Sequence, residues 1–279
     1  RLSAHIAEPF ISLTPSDALN HRLKEGDLAE VSSLSGSALV RVSISNSVTN
    51  RQAFMPIHWN STNAKQASVC ALIPAYTDQS SGQPEFKATP INIEKWDFKS
   101  EALFLSRSEL DFSEFGYWVK QKVANGYLYH IADKMTALQL KEKLATFILN
   151  SAGKNLNYSN ADDSDNPLYR YANIQENSVN CAYVIAHKLQ QQALDWMQQL
   201  LDLTPDSSVD RSIISGQVEG KLAEGKMVCA CKQVGENSII DAIKTQNSAT
   251  IKNIGQCTGA GTGCGSCIPD LEQLIETHA

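Results

Sequence analysis

Five of the seven cysteines lie within residues 229–279, and four of them form two close pairs. The first pair is Cys229-x-Cys231, and the second is Cys264-x-x-Cys267. Two close pairs of thiolates can hold either a zinc ion or an iron–sulfur cluster. A third interpretation, four buried structural cysteines beside a glycine turn, is disfavoured by the paired spacing. Cys257 lies outside both pairs, and we expect it to be a bystander thiol.

A glycine-rich run over residues 259–265 leads into the second cysteine pair. Glycine removes side-chain bulk and permits unusual dihedrals, so backbone amides can turn toward the sulfurs of an anionic cluster. Helices predicted to start near Asn237 and Ile268 would point their positive ends at the same place. These features favour an iron–sulfur cluster over zinc. The run does not fit the dinucleotide motif G-x-G-x-x-G, because Cys264 occupies the third glycine position and no βαβ pattern precedes it.

The composition excludes some classes of protein. With 24 Lys and Arg against 30 Asp and Glu, the formal net charge of −6 argues against a nucleic-acid binder, which needs a basic face. No apolar run approaches the ~20 residues that span a bilayer, so no membrane partner is expected. The length of 279 residues and the apolar fraction of 42% predict more than one packed domain. The chain begins with Arg1 and no signal peptide opens it, so we expect a piece of a longer protein.

Hydrophobic patterning divides the chain into three segments and predicts a multidomain α+β fold. The first segment is β-rich, the middle one is helical or mixed, and the last one is small, helical and rich in cysteine. Their predicted bounds are residues 1–98, 99–225 and 226–279.

Local patterns define the elements of the first two segments. Strands are predicted over residues 27–34 and 37–45, because apolar and polar residues alternate and Ser35-Gly36 forms a tight turn between them. Helical periodicity is found over residues 135–150 and 180–202 of the middle segment. That segment shows no catalytic constellation. Its two isolated histidines, His130 and His187, are expected to be structural.

The last segment resembles a known family in two stretches, from Met227 to Gly235 and from Ala260 to Cys267. They are similar to the bacterioferritin-associated-ferredoxin-like (BFD-like) 2Fe–2S domain, which uses a C-x-C pair followed by a C-x-x-C pair. The resemblance implies a small all-α iron–sulfur domain. The four ligands that it implies for a 2Fe–2S cluster are Cys229, Cys231, Cys264 and Cys267.

The first segment resembles the C-terminal dinucleotide-binding domain of molybdopterin oxidoreductases, and most of all their assimilatory, cytoplasmic nitrate reductase branch. The stretches that carry this resemblance are residues 11–18, 23–27, 31–33 with Gly36, 54–59 and 81–87. The resemblance implies a double-psi β-barrel over residues 1–98. Its cofactor would be the molybdenum bis(molybdopterin guanine dinucleotide), Mo-bis-MGD.

Four side chains are predicted to contact this large, polyanionic cofactor. Lys87 offers a cation at the end of a loop, and Gln83 offers a two-sided amide for a purine or pterin edge. His58 and Trp59 would lie at the barrel rim. Cys70 stands where the family commonly has Asn or Asp, so a hydrogen bond to the cofactor is expected to be lost or replaced there. Cys70 is not expected to bind molybdenum, since the family's metal ligand lies in an earlier domain.

Together, the resemblances imply the C-terminal part of an assimilatory nitrate reductase catalytic subunit, a cytoplasmic enzyme that reduces nitrate to nitrite. Its partners would be the upstream domains of the same chain and an electron-donor protein or reductase subunit. The metal would carry the chemistry, so no catalytic side chain is predicted, and this chain alone is expected to be inactive. One alternative is another molybdopterin oxidoreductase, such as a formate dehydrogenase. Another is a non-catalytic 2Fe–2S electron carrier.

Overall fold

The chain folds into three units, each built around its own sheet. In the computed structural model, none of the described helices is long and apolar enough to cross a membrane. The residues that the structure describes are 7–87, 89–148, 152–160, 167–176, 178–189, 191–200, 212–213, 215–216, 227–229, 232, 234–245 and 250–278.

Within its described residues, the first unit contains four strands and one short α-helix, besides the 3₁₀ helix Val69–Leu72. They are β1 Phe10–Leu13, α1 Pro15–Asn20, β2 Leu28–Ser32, β3 Ser37–Ile44 and β4 Asn92–Lys95. The strand order is β1-β3-β2-β4, with β1 parallel to β3 and the other pairs antiparallel. The predicted hairpin is confirmed as β2 and β3, and its alternation buries Val40 and Val42 in the core. The double-psi arrangement stays a prediction, because the described strands form one four-stranded sheet.

The second unit is a six-stranded antiparallel sheet, and two helices of the described part of the chain cover it. Its strands are β5 Ser100–Ser106, β6 Tyr117–Val123, β7 Gly126–Asp133, β8 Lys154–Ser159, β9 Tyr169–Gln175 and β10 Ser178–Ala186, and its helices are α2 Ala137–Ala145 and α3 Gln191–Leu200. The strand order is β6-β7-β5-β10-β9-β8. Residues of β5 alternate between two cores: Phe104 packs with the residues of α2, and Leu105 packs with those of α3. Each helix therefore covers one face of the sheet.

The helix predicted over residues 180–202 is wrong in its first half. Ser178–Ala186 is strand β10, and the helix begins only at Gln191. Both faces of the sheet are covered, so β10 is apolar on both sides and lacks the alternation that marks a half-exposed strand. The helix predicted over residues 135–150 is confirmed over Ala137–Ala145. The middle segment, predicted as helical or mixed, is consequently mixed, with a six-stranded sheet and helices on both of its faces.

The third unit combines three helices with one short strand pair. These elements are β11 Met227–Cys229, β12 Val234–Gly235, α4 Glu236–Thr245, α5 Ile251–Thr258 and α6 Ile268–His278. The antiparallel pairing of β11 with β12 corrects the all-α prediction. The predicted helix starts near Asn237 and Ile268 are confirmed. Ile239, Ile254 and Leu271, one from each helix, are fully buried in the core of this unit.

The first and second units share a core where they meet. Leu28, Leu39 and Trp59 of the first unit pack with Tyr117 and Val119 of β6. Trp96 and Phe98, which end the first segment, lie against the same cluster. The boundary predicted at residue 98 thus falls within a packed junction, and the bounds of the three domains stay predictions.

A buried ionic network crosses the same junction and is centred on Arg41 of β3. The Arg41 guanidinium lies 3.0 Å from a carboxylate oxygen of Glu8 and 2.6 Å from one of Glu101. The hydroxyl of Tyr117 donates to Glu8 at 2.7 Å, and Nδ1 of His130 lies 3.3 Å from the other Glu8 oxygen. His130 is buried, and its contact with Glu8 agrees with the structural role expected for it.

The network keeps Glu8 ionised. Burial alone would raise the pKa of Glu8, but the charges of Arg41 and His130, with the hydrogen bonds from His130 and Tyr117, hold this pKa well below its usual range. Burial, assisted by the Glu8 carboxylate, raises the pKa of the Tyr117 phenol well above its usual value, so this hydroxyl keeps its proton as a donor.

Acid should weaken this junction through Glu8. Because the pKa of Glu8 is lower in the folded state, its contribution to the free energy of unfolding is full above the unfolded pKa of ~4.3 and falls as the pH drops below that value. Glu8→Gln should reduce the free energy of unfolding at pH 7 by roughly 3–5 kcal/mol and flatten its decline between about pH 5 and pH 3. Urea titrations at several pH values measure both effects.

Glu109→Gln is the matched control for Glu8→Gln. The Lys120 ammonium and its hydrogen bond also lower the pKa of Glu109, but the Glu109 side chain is 53% exposed. Solvent screens such a pair, so its removal should change stability much less. If the free energy of unfolding depended on pH in the same way in wild type and in Glu8→Gln, the role given to Glu8 in the junction would be wrong.

Candidate functional site

Two of the four predicted cluster ligands lie together in the core of the third unit. Cys229 ends β11 and is 1% exposed, whereas Cys267 immediately precedes α6 and is 2% exposed. Their side chains are hydrogen-bonded to each other. Burial, together with the neighbouring Cys229 thiol, raises the pKa of Cys267. A bound metal ion replaces the protons of such a pair, which is how cysteines become thiolate ligands.

The glycine loop turns backbone toward this thiol pair, as predicted. Gly259, Gly261 and Gly265 have positive φ angles of 81°, 78° and 77°. A Cβ atom on Gly261 would lie 3.1 Å from Cδ1 of Leu271, so both its dihedral and its packing favour glycine. The Gly261 amide donates a hydrogen bond to the Cys267 sulfur, which lowers the pKa of that thiol. This contact would stabilise negative charge on a ligating sulfur.

The other predicted ligands differ in position. Cys264 is exposed on the same loop, and its sulfur lies 3.1 Å from the hydroxyl of Ser266. Cys231 lies outside the described residues. Within the described part of the chain, no group of three or more Cys, His, Asp or Glu side chains is close enough to hold a metal ion. The ligand set of four cysteines therefore stays a prediction.

The chemistry of the described donors nevertheless fits a 2Fe–2S cluster. The buried thiol pair and the thiol on the adjoining loop supply three of the four thiolates that such a cluster needs, and one backbone amide is aimed at a sulfur. Cys257 lies exposed on α5, outside the buried thiol pair. Ser266 is the residue that the sequence interpretation missed, although its place between two predicted ligands was a usable signal.

The residues predicted to hold the pterin cofactor lie on exposed segments of the first unit, with one exception. Residues 75–87 are exposed, including Gln83 and Lys87, and so is His58. Trp59 is 8% exposed and packs in the junction core instead. Little of the Trp59 side chain is therefore accessible, and its contact with the cofactor stays a prediction.

Internal hydrogen bonds shape the exposed loop that carries Lys87. The Asp78 carboxylate accepts from the amides of Ser80 and Ser81 at 3.0 and 2.7 Å. The Lys87 amide donates to the Glu85 carboxylate at 2.7 Å, while no hydrogen bond of its ammonium group is found within the described residues. The Lys87 ammonium and the Gln83 side-chain amide, both on this exposed loop, fit a polyanionic cofactor. Their contacts with it stay predictions.

Cys70, which stands where the family commonly has Asn or Asp, is also at the surface. Cys70 is exposed and lies in the short 3₁₀ helix Val69–Leu72, which packs through Leu72 against the first core.

Comparison with known proteins identifies two of the three units. Residues 1–90 match the molybdopterin dinucleotide binding domain, and residues 227–277 match the BFD-like [2Fe-2S] binding domain. The chain joins these two domains. Their cofactors are accordingly a molybdopterin dinucleotide and a 2Fe–2S cluster.

Individual relatives extend the comparison. A nitrate reductase from Klebsiella oxytoca is 29% identical over 283 aligned residues, which cover 99% of this chain and 31% of that protein. The assimilatory nitrate reductase electron transfer subunit of Bacillus subtilis is 30% identical over 28% of this chain and 11% of its own length. The F420-dependent formate dehydrogenase subunit alpha of Methanocaldococcus jannaschii is 31% identical over 34% of this chain and 13% of its own length. The chain thus spans less than a third of the length of each of these relatives.

The cysteine assignment predicts a coloured protein. The full chain purified anaerobically should show visible charge-transfer absorption, an EPR signal after one-electron reduction, and iron and sulfide in the proportion of a 2Fe–2S cluster. Replacing Cys229, Cys231, Cys264 or Cys267 by Ala should abolish or deplete the cluster, because each substitution removes one of its four ligands.

Cys257→Ala is the matched control, since Cys257 lies outside both pairs, and it should leave the iron content nearly unchanged. A colourless protein that holds zinc after reconstitution with iron and sulfide would overturn the cluster assignment. Loss of the cluster in Cys257→Ala would instead show that one of the four ligands is wrongly chosen.

Proposed function

We propose that this chain is the C-terminal part of the catalytic subunit of an assimilatory nitrate reductase, which reduces nitrate to nitrite in the cytoplasm. The observation that carries the proposal is the similarity to the Klebsiella nitrate reductase over 99% of the chain, which includes the middle unit as well as both cofactor domains. The Bacillus relative supports the assimilatory role, because it is named as the electron transfer subunit of an assimilatory nitrate reductase.

The two cofactor domains would have different tasks, one in nitrate reduction and the other in electron transfer. When bound, the molybdenum cofactor supplies the reduction of nitrate to nitrite, which consumes two electrons and two protons and releases water. Residues 1–98 would close over the pterin through Lys87, Gln83, His58 and Trp59. The upstream part of the same catalytic chain would provide the rest of that site, so this chain alone should not turn over.

Residues 226–279 would carry electrons on a 2Fe–2S cluster held by Cys229, Cys231, Cys264 and Cys267. Cys229 and Cys267 are buried, whereas Cys264 is exposed. The cluster would therefore present its Cys264 edge to solvent, where an electron-donor protein or a reductase subunit can approach. Residues 99–225 would separate the two cofactor domains and join the first one through the Arg41 network.

A formate dehydrogenase is the second candidate, because the alpha subunit from Methanocaldococcus is also similar to part of the chain. That similarity covers 34% of the chain, against 99% for the nitrate reductase. A non-catalytic 2Fe–2S carrier would have no use for a molybdopterin dinucleotide-binding domain. Nitrate reduction is the function that accounts for all three units.

Substrate assays of the full-length catalytic chain test the proposal. The purified, molybdenum-loaded protein should oxidise reduced methyl viologen when nitrate is added and should release one nitrite for every two viologen radicals oxidised. Formate should not reduce oxidised methyl viologen. Formate-dependent reduction without nitrate turnover would replace the proposed function by the second candidate.

Lys87 is the side chain predicted to matter most for cofactor retention. Lys87→Ala in the full-length protein should lower the molybdenum content and the nitrate reductase activity together, because a charged hydrogen bond contributes ~1.5–3 kcal/mol. Lys99→Ala is the control, since Lys99 lies just before β5 and outside the 75–87 loop. If Lys87→Ala keeps the molybdenum content and activity of wild type, the assignment of Lys87 is wrong.

A further inference from the structure

The hydroxyl of Ser266 lies beside the predicted ligand on the exposed side of the cluster domain. Its oxygen is 3.1 Å from the Cys264 sulfur, and either atom can donate in the unbound state. Both residues are exposed on the loop between α5 and α6. A ligating thiolate has no proton, so in the loaded domain the hydroxyl of Ser266 must be the donor.

Cys264 and Cys267 have different hydrogen-bonding partners. The buried Cys267 sulfur accepts from the Gly261 backbone amide, which is held by a glycine conformation and by packing against Leu271. The exposed Cys264 sulfur has a side-chain hydroxyl beside it. Hydrogen bonds to cluster sulfurs and exposure to solvent both set the reduction potential of an iron–sulfur centre.

We propose that Ser266 is a positioning residue that raises the reduction potential of the 2Fe–2S cluster by donating a hydrogen bond to the Cys264 thiolate. Reduction adds one negative charge to the cluster, and a donor on a ligating sulfur stabilises that charge more than it stabilises the oxidised form. The effect acts at the exposed edge, where an incoming electron first meets the cluster. The inference rests on the proposed electron-transfer role of Cys264.

Ser266→Ala in the full chain is the direct test. Potentiometric titration followed by EPR should show a cluster with wild-type iron content and a lower potential. At a fixed potential the ratio of reduced to oxidised cluster should fall about three- to tenfold, tenfold being ~59 mV for one electron. The terminal iron–sulfur vibrations of wild type, but not of Ser266→Ala, should shift in deuterated water.

Thr262→Val is the matched control, because the Thr262 hydroxyl lies on the same loop and donates to the Gly259 carbonyl at 2.7 Å instead of to a sulfur. It should leave the potential unchanged. Ser266→Thr keeps the hydroxyl and should restore the wild-type potential and deuterium shift.

The outcomes separate the inference from the proposed function. An intact cluster with an unchanged potential in Ser266→Ala overturns the role of Ser266 and leaves the ligands standing. Cluster loss in Ser266→Ala with full recovery in Ser266→Thr supports the hydrogen bond as a requirement of the site. Cluster loss in both variants shows that Ser266 acts through packing and overturns the inference. A wild-type chain that binds zinc instead of iron removes the proposed electron-transfer role itself.

Discussion

Arg41 is a largely buried cation that two carboxylates compensate, and the junction between the first two units depends on it. Its side chain is 16% exposed, and that of Glu101 is 5% exposed. Leaving either charge without its partner would cost several kcal/mol, because water reaches these groups only in small part. Glu8 and Arg41 belong to the first unit and Glu101 to the second, so the network resists separation of the two sheets. The shared apolar core around Leu28 and Tyr117 acts in the same direction.

This junction gives the middle sheet a role in positioning Trp59 and the neighbouring His58. The loop that carries Lys87 has little packing of its own, since residues 75–87 are exposed. Trp59, close to the exposed His58, is by contrast anchored in the junction core. The packing that joins the two sheets thus fixes Trp59, at one side of the predicted cofactor surface. The loop that carries Lys87 stays exposed, so the predicted cofactor can reach it.

The third unit organises its site by backbone conformation rather than by charge. Three glycines with positive φ angles bend the loop around Cys264 and Cys267, and one amide is directed at a sulfur. This arrangement suits a cluster whose anionic sulfurs accept hydrogen bonds. The loop buries one thiol and exposes the other, although only two residues separate them.

The sequence alone determined the features that depend on local chemistry and spacing: the paired cysteines, the glycine loop, the β2–β3 hairpin and both domain resemblances. It misassigned β10, because a strand covered on both faces loses its alternation and shares the apolar character of a buried helix. It also gave no sign that Arg41, Glu8 and Glu101 would meet, since they are remote in sequence and charged residues usually lie at the surface. Only tertiary structure decided which charges became buried and which cysteine stayed exposed, because burial depends on packing between elements that are distant along the chain.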